Sequence, residues 1–230
     1  MNFCRYLWIF LLIINYSIYS QSIDSNFTLV IDPGHGGKDP GNTGNGYLEK
    51  KIALSIGLKI GERLKKYKNI SVIYTRKTDV FVDLYRRAKI ANDVQADLFI
   101  SIHCDAHTSN AYGAGTFVLG LHANERNFKI AQKENSVIFL EDDYQQKYEG
   151  FDPNNPESVI SLVLMQEDYL DKSIVAANFI QKSFVNRLKR RDRTVKQAGF
   201  LVLRNTFMPS VLVETGFLTN KSEGSYLNSN

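Results

Sequence analysis

Phe27-Thr-Leu-Val-Ile-Asp-Pro-Gly-His-Gly-Gly37 is the stretch from which the fold is read. Phe27 to Ile31 is a short, β-branched apolar run closed by Asp32-Pro33, which reads as a buried strand. The glycines that follow let the chain turn tightly around His35. Downstream, Glu49 to Tyr67 reads as a helix, with Ile52, Ile56, Ile60 and Leu64 on one stripe and Ala53, Gly57 and Gly61 beside it. Ile70 to Thr75 is a second strand, Asp83 to Val94 a second helix, Leu98 to Ile102 a third strand, and Gly115 to Leu119 a fourth. Ala177, Ile180, Phe184 and Leu188 mark a late helix, and Phe200 to Leu203 and Val211 to Val213 two late strands. Strand–helix alternation with near-continuous apolar strands predicts a single α/β domain. Its sheet is mainly parallel and twisted, of about six strands, with helices on both faces.

The composition agrees with one globular domain. The chain has 230 residues, 43% hydrophobic and 23% charged, too apolar for a disordered chain. Its 28 basic and 24 acidic residues leave a net charge of +4, too small an excess for a nucleic-acid binder. Met1 to Ser22 carries Arg5, an apolar run from Tyr6 to Ile14 and then small residues, the order of a secretory signal peptide. The run is shorter than the roughly 20 residues that span a bilayer, so no stable membrane span is expected after cleavage. Residues 23–230 then form the domain, exported to the periplasm or cell wall. Cys4 would leave with the signal, and Cys104 would remain as a lone thiol, which excludes an intrachain disulfide.

Polar residues collect where the strands end, the usual place for a site in an open α/β sheet. The first strand runs into His35, the third into His103, the last into Glu214, and Glu49 opens the first helix. Two His and a carboxylate are a common ligand set for a catalytic zinc that leaves a fourth position to water. A further carboxylate can take a proton from that water and pass it to a leaving amine. His35, Glu49 and His103 fit the first role and Glu214 the second. Taken singly, such a His is commonly structural and such a Glu commonly a helix cap. His107 reads as a rim residue and His122 as surface. Cys104 points away from His103 on an extended chain. The Gly34–Gly46 loop lacks both the P-loop ending and the dinucleotide frame, and the Lys189–Arg193 cluster reads as a solvated helix end.

The ordered blocks Val30-Ile-Asp-Pro-Gly-His-Gly-Gly-Lys-Asp-Pro-Gly-Asn42, Leu48-Glu-Lys50, Thr75-Arg-Lys-Thr-Asp79, Arg87-Ala-Lys-Ile-Ala-Asn92, Ser101-Ile-His-Cys-Asp-Ala106 and Val211-Leu-Val-Glu-Thr-Gly-Phe-Leu-Thr-Asn220 carry a family resemblance. The chain resembles the zinc-dependent N-acetylmuramoyl-L-alanine amidases of bacterial cell-wall remodelling, from about Phe27 to Leu227. The resemblance implies cleavage of the amide between N-acetylmuramic acid and the L-alanine of the peptidoglycan stem peptide. It implies zinc on His35, Glu49 and His103, with Glu214 as catalytic carboxylate. Arg76 and Arg87 lie in matching blocks and could bind substrate or hold the fold.

An acidic, aromatic, Pro-containing insert from about Glu134 to Leu162 interrupts the alternation. In similar periplasmic amidases of cell separation, a segment placed there covers the zinc until a partner with a LytM-type domain displaces it. The resemblance therefore implies an autoinhibitory insert, with Glu141 the candidate zinc cap; a lid that binds the stem peptide is the competing reading. Similar proteins also continue into a further helix, of which Ser222 to Leu227 resembles only the start, so the C-terminal helix is expected to be missing. Two other function classes stay open. A zinc carboxypeptidase acting elsewhere on the stem peptide would give different products. A non-catalytic peptidoglycan-binding module would lack a ligand or the catalytic carboxylate.

Overall fold

The computed structural model describes residues 26–121, 124–155, 157–158 and 167–229. The signal-like segment and His122 lie outside them, as does part of the insert.

The elements are β1 (Phe27–Pro33), β2 (Thr43–Gly44), β3 (Tyr47–Leu48), α1 (Glu49–Leu64), β4 (Ile70–Tyr74), α2 (Leu84–Asp93), β5 (Leu98–Asp105) and β6 (Ala114–Leu119). They continue with α3 (Glu125–Asn135), a 3-10 turn (Ser136–Leu140), α4 (Tyr144–Lys147), α5 (Glu167–Asn186), β7 (Asp192–Ala198), α6 (Leu201–Arg204), β8 (Ser210–Phe217) and α7 (Lys221–Leu227). Six strands form one sheet in the order β4-β1-β5-β8-β6-β7, and β2 pairs with β3 apart from it. β4, β1, β5 and β8 run parallel. β6 is antiparallel to β8 and parallel to β7, so the last two strands run the other way.

Side chains alternate faces along a strand, and that period sorts the core. Leu29, Ile31, Ile100, Ile102, Val211 and Val213 face α1 and α5. Val30, Phe99, Phe117 and Leu212 face the other way, onto a core that includes Leu84, Ala131, Ile138 and Leu203. The same period carries Asp32, Ser101, His103 and Glu214 onto this second face, because each lies an even number of residues from an apolar one there. Cys104 turns to the first face, against Ile52 and Leu218.

One stretch differs from the sequence reading. Phe200 to Leu203, read as a strand, belongs to α6 and the residue before it, with all four side chains of α6 buried. A four-residue apolar run buried all round has no periodicity to separate helix from strand. The strand at this place in the order is β7, Asp-Arg-Thr-Val-Lys-Gln-Ala, whose mixed polar pattern suits a sheet edge. The insert is anchored in its first half. Ile138, Tyr148 and Phe151 are buried in the main core, fixing the part up to Phe151 to the domain. An apolar groove of about 510 Å³ opens on the first face, lined by Ile56, Ile60, Ile180, Phe184 and Val213 among others. No helix among the described residues is long and apolar enough to cross a membrane.

Candidate active site

The loop after β1 is built by two buried arginines. Arg76 donates through Nε to the Pro33 carbonyl and through Nη2 to those of Gly34 and Lys50. Arg87 donates to the carbonyls of Val82, Pro33 and His35 and to the Asp32 carboxylate at 2.8 Å. Asp32 is fully buried and also accepts from Thr75 and Ser101. Burial opposes its charge, but Arg87 and these hydroxyls hold its carboxyl below the usual range. Removing one member of such a pair costs about 3–5 kcal/mol, because the other is left charged and buried. Of the two roles open for Arg76 and Arg87, holding the fold is the one their contacts serve. They clamp His35 in a left-handed backbone (φ 60°) that a non-glycine residue adopts at a cost. Gly34 is required beside it, since a Cβ there would lie 2.5 Å from the His103 ring.

His35, Glu49, His103 and a fourth residue, Glu134, bring one ligand atom each to within 4.8 Å of one another. His35 Nε2 lies 3.2 Å from Glu49 Oε1 and 3.3 Å from Glu134 Oε2. His103 Nδ1 lies 3.2 Å and 3.1 Å from the same two atoms. Ligands at about 2.0–2.1 Å from a tetrahedral zinc stand about 3.3–3.4 Å apart; these four separations match that spacing, and the group as a whole, spanning up to 4.8 Å, is more open than a regular tetrahedron. His35 Nε2, His103 Nδ1 and Glu134 Oε2 are buried without a hydrogen bond. The donor set and its geometry therefore fit one zinc ion.

The opposite atoms of the ligands are tied down. His35 Nδ1 lies 2.7 Å from Asp39 Oδ2. Glu49 accepts the Cys104 and Asn42 backbone N–H groups on its two oxygens. His103 Nε2 lies 3.2 Å from Ser101 Oγ, which donates to Asp32. Such supports fix ring orientation and ligand basicity. Burial pulls the His103 imidazole down, but Glu134 and Glu49 outweigh it and raise it to about 9. Glu134 is held at about 2 against its own burial, by His103 and His35.

Glu214 stands beside the cluster. It is registered with His103 on the neighbouring strand, about 4.8 Å away across the sheet. It is buried, and neither carboxylate oxygen has a hydrogen-bond partner. Burial and the nearby carboxylates of Asp105, Glu49 and Glu134 push it well above the usual range. A carboxylate whose pKa is raised in this way is a better proton acceptor than an ordinary one. Asp39, Ser101 and Glu134 were not singled out from the sequence. Asp39 had a signal, being a carboxylate in the same glycine-rich turn as His35.

Glu141 lies elsewhere. Its Oε1 accepts the Leu84 N–H at the start of α2, and its Oε2 the Tyr148 hydroxyl. The residue closing the cluster is instead Glu134, from the last turn of α3, at the edge of the insert. His107 is on the rim, bonded to Ser109.

Residues 29–230 match the family model for N-acetylmuramoyl-L-alanine amidases. The chain belongs to the N-acetylmuramoyl-L-alanine amidase family. Within the family it is 36% identical over 208 residues to the amidase AmiA of Salmonella typhimurium, covering 89% of this chain and 70% of that one. It is 33% identical over 206 residues to the amidase LytC of Bacillus subtilis, covering 87% of this chain but only 31% of that larger protein. Among solved structures, an N-acetylmuramoyl-L-alanine amidase of Clostridium difficile 630 superposes with a TM-score of 0.67 at 28% identity, over 90% of this chain and 88% of that one. The His35, Glu49, His103 and Glu214 positions all fall within the family match.

Proposed function

We propose that the chain is a zinc-dependent peptidoglycan hydrolase that cleaves the amide between N-acetylmuramic acid and L-alanine. The observation that carries this is the convergence of His35, Glu49, His103 and Glu134 on one point, next to an unpartnered Glu214, in a chain of the amidase family. His35, Glu49 and His103 hold the ion in the working state. Zinc supplies Lewis-acid polarisation of the amide carbonyl and a more acidic water. Glu214 takes the proton from the attacking water and delivers it to the departing alanine amine. Asp39 and Ser101 keep the two imidazoles in register with the ion.

Glu134 gives this site an off state. A fourth protein ligand fills the position that a catalytic zinc leaves open. α3 is fastened above the site by Lys133 to Asn42, by Asn127 to the Gln197 carbonyl and by Asn135 to Gly199 and Leu201. Displacing its last turn opens the position, and a LytM-type partner is one agent that could do so. The signal-like Met1–Ser22 and the peptidoglycan substrate together argue for export to the periplasm or cell wall.

Purified chain should contain one equivalent of zinc by elemental analysis. Exhaustive chelation should abolish hydrolysis of peptidoglycan, and added zinc should restore it. Hydrolysis that persists in metal-free protein would overturn the reading.

A further inference from the structure

The face that carries Glu214 also carries a group of cations that the chemistry above does not use. Lys196 and Arg193 on β7 and Arg126 on α3 line one small cavity with Glu214 and Asp105. Gly115 is registered with Glu214, and a Cβ on Gly115 would lie 3.1 Å from both Lys196 Nζ and Arg193 Cβ. The Lys196 side chain thus reaches back over Gly115 toward Glu214. Its ammonium rests 4.9 Å from the centroid of the Phe117 ring, and Phe117 is the residue registered with it on β6. Arg193 is steadied by the Tyr112 carbonyl and by the Phe217 ring.

The two carboxylates in the cavity form no ion pair with Lys196 among the described residues. Burial, with Arg126 and Arg193 close by, pulls the Lys196 ammonium down to about 8. Like charges gathered in a half-buried pocket repel one another, and an incoming anion relieves that repulsion. The cavity is small, so the anion belongs to something that enters from the open side, where the substrate lies.

The identity of that anion follows from the side on which Glu214 stands. This step rests on the amidase reading. Glu214 protonates the departing amine, so the alanine nitrogen sits within its hydrogen-bond reach and the stem peptide leads away from there. In peptidoglycan the second stem residue is D-glutamate joined through its side-chain carboxyl, which leaves its α-carboxyl free or amidated. Two extended residues span at most about 7 Å, enough to carry that group from Glu214 across Gly115 to Lys196. We propose that Lys196, with Arg193 beside it, binds the free α-carboxylate of the second stem-peptide residue and thereby favours substrates in which this carboxyl is not amidated.

The test compares N-acetylmuramoyl-L-alanyl-γ-D-glutamyl-L-lysine with its D-isoglutaminyl counterpart, so that only the α-carboxyl differs, using zinc-loaded protein as the natural chain and as Glu134→Gln. The acidic substrate should be favoured by about 10-fold in kcat/KM, mostly through KM, the size expected of a hydrogen bond to a charged group. Lys196→Met should bring the ratio of kcat/KM for the two substrates to about one, and Lys196→Arg should retain the preference. Equal rates on the two substrates, or an equal loss on both in Lys196→Met, would overturn the proposal; the latter would mark Lys196 as merely structural. Calorimetric titration with L-alanyl-γ-D-glutamyl-L-lysine and L-alanyl-D-isoglutaminyl-L-lysine decides without turnover. Tighter binding of the γ-D-glutamyl peptide that vanishes in Lys196→Met supports the proposal, and equal binding contradicts it. Cleavage of neither substrate by Glu134→Gln would count against the amidase reading, with the titration still deciding the role of Lys196.

Discussion

Glu214→Gln should lower turnover by about 10²–10⁴-fold, the range for removing a general acid–base group, while zinc content stays at one equivalent. The split between the two readouts is what matters. Glu214 is adjacent to the metal cluster but contributes no atom to it, so its loss should not release the ion. Both of its oxygens are buried and unpartnered, so Gln, of nearly the same shape, should leave the fold intact. A buried carboxylate left without partners costs stability, which is the pattern of a group kept for chemistry and not for the fold. Measurement belongs in both the natural chain and the Glu134→Gln background, since a closed site would mask the difference. Full activity in Glu214→Gln would remove the proton-transfer scheme.

Glu134→Gln should raise basal hydrolysis by 10-fold or more, corresponding to a preference for the closed site of at least about 1.4 kcal/mol. The two imidazoles and Glu49 remain to hold zinc, so metal content should be unchanged. The attacking water then gains the position that Glu134 Oε2 takes, 3.1 Å from His103 Nδ1 and 3.3 Å from His35 Nε2. A drop in both zinc content and activity would instead make Glu134 a permanent ligand of the working centre. Deletion of residues 136–160 is the poorer test. It spares Glu134 and removes Ile138, Tyr148 and Phe151 from the core.

The sequence was most legible where a residue's surroundings are set by its own strand. β1, β5 and β8 are apolar nearly throughout because both faces are covered, and their period of two carries His103 and Glu214 to one face without reference to anything else. β7 was missed because an edge strand keeps polar residues. Phe200–Leu203 was misread because a run of four buried apolar residues has no period. Glu134 was illegible for another reason. On α3 it is one acidic residue among several polar ones, and only the docking of that helix over the sheet turns it toward His35 and His103. Glu141 was chosen from the same acidic segment, yet its neighbours make it a cap on α2. Which carboxylate of an insert reaches a metal is decided by tertiary contacts, and composition does not report them.

The central claim is the bond that is cut. Intact peptidoglycan sacculi treated with zinc-loaded protein, in the natural form and as Glu134→Gln, should release stem peptides whose L-alanine carries a free amine. The glycan should be left intact with a free lactyl carboxylate on each processed muramic acid, both read directly by mass spectrometry. Peptides cut between later stem residues, with the muramoyl–alanine amide intact, would contradict the account.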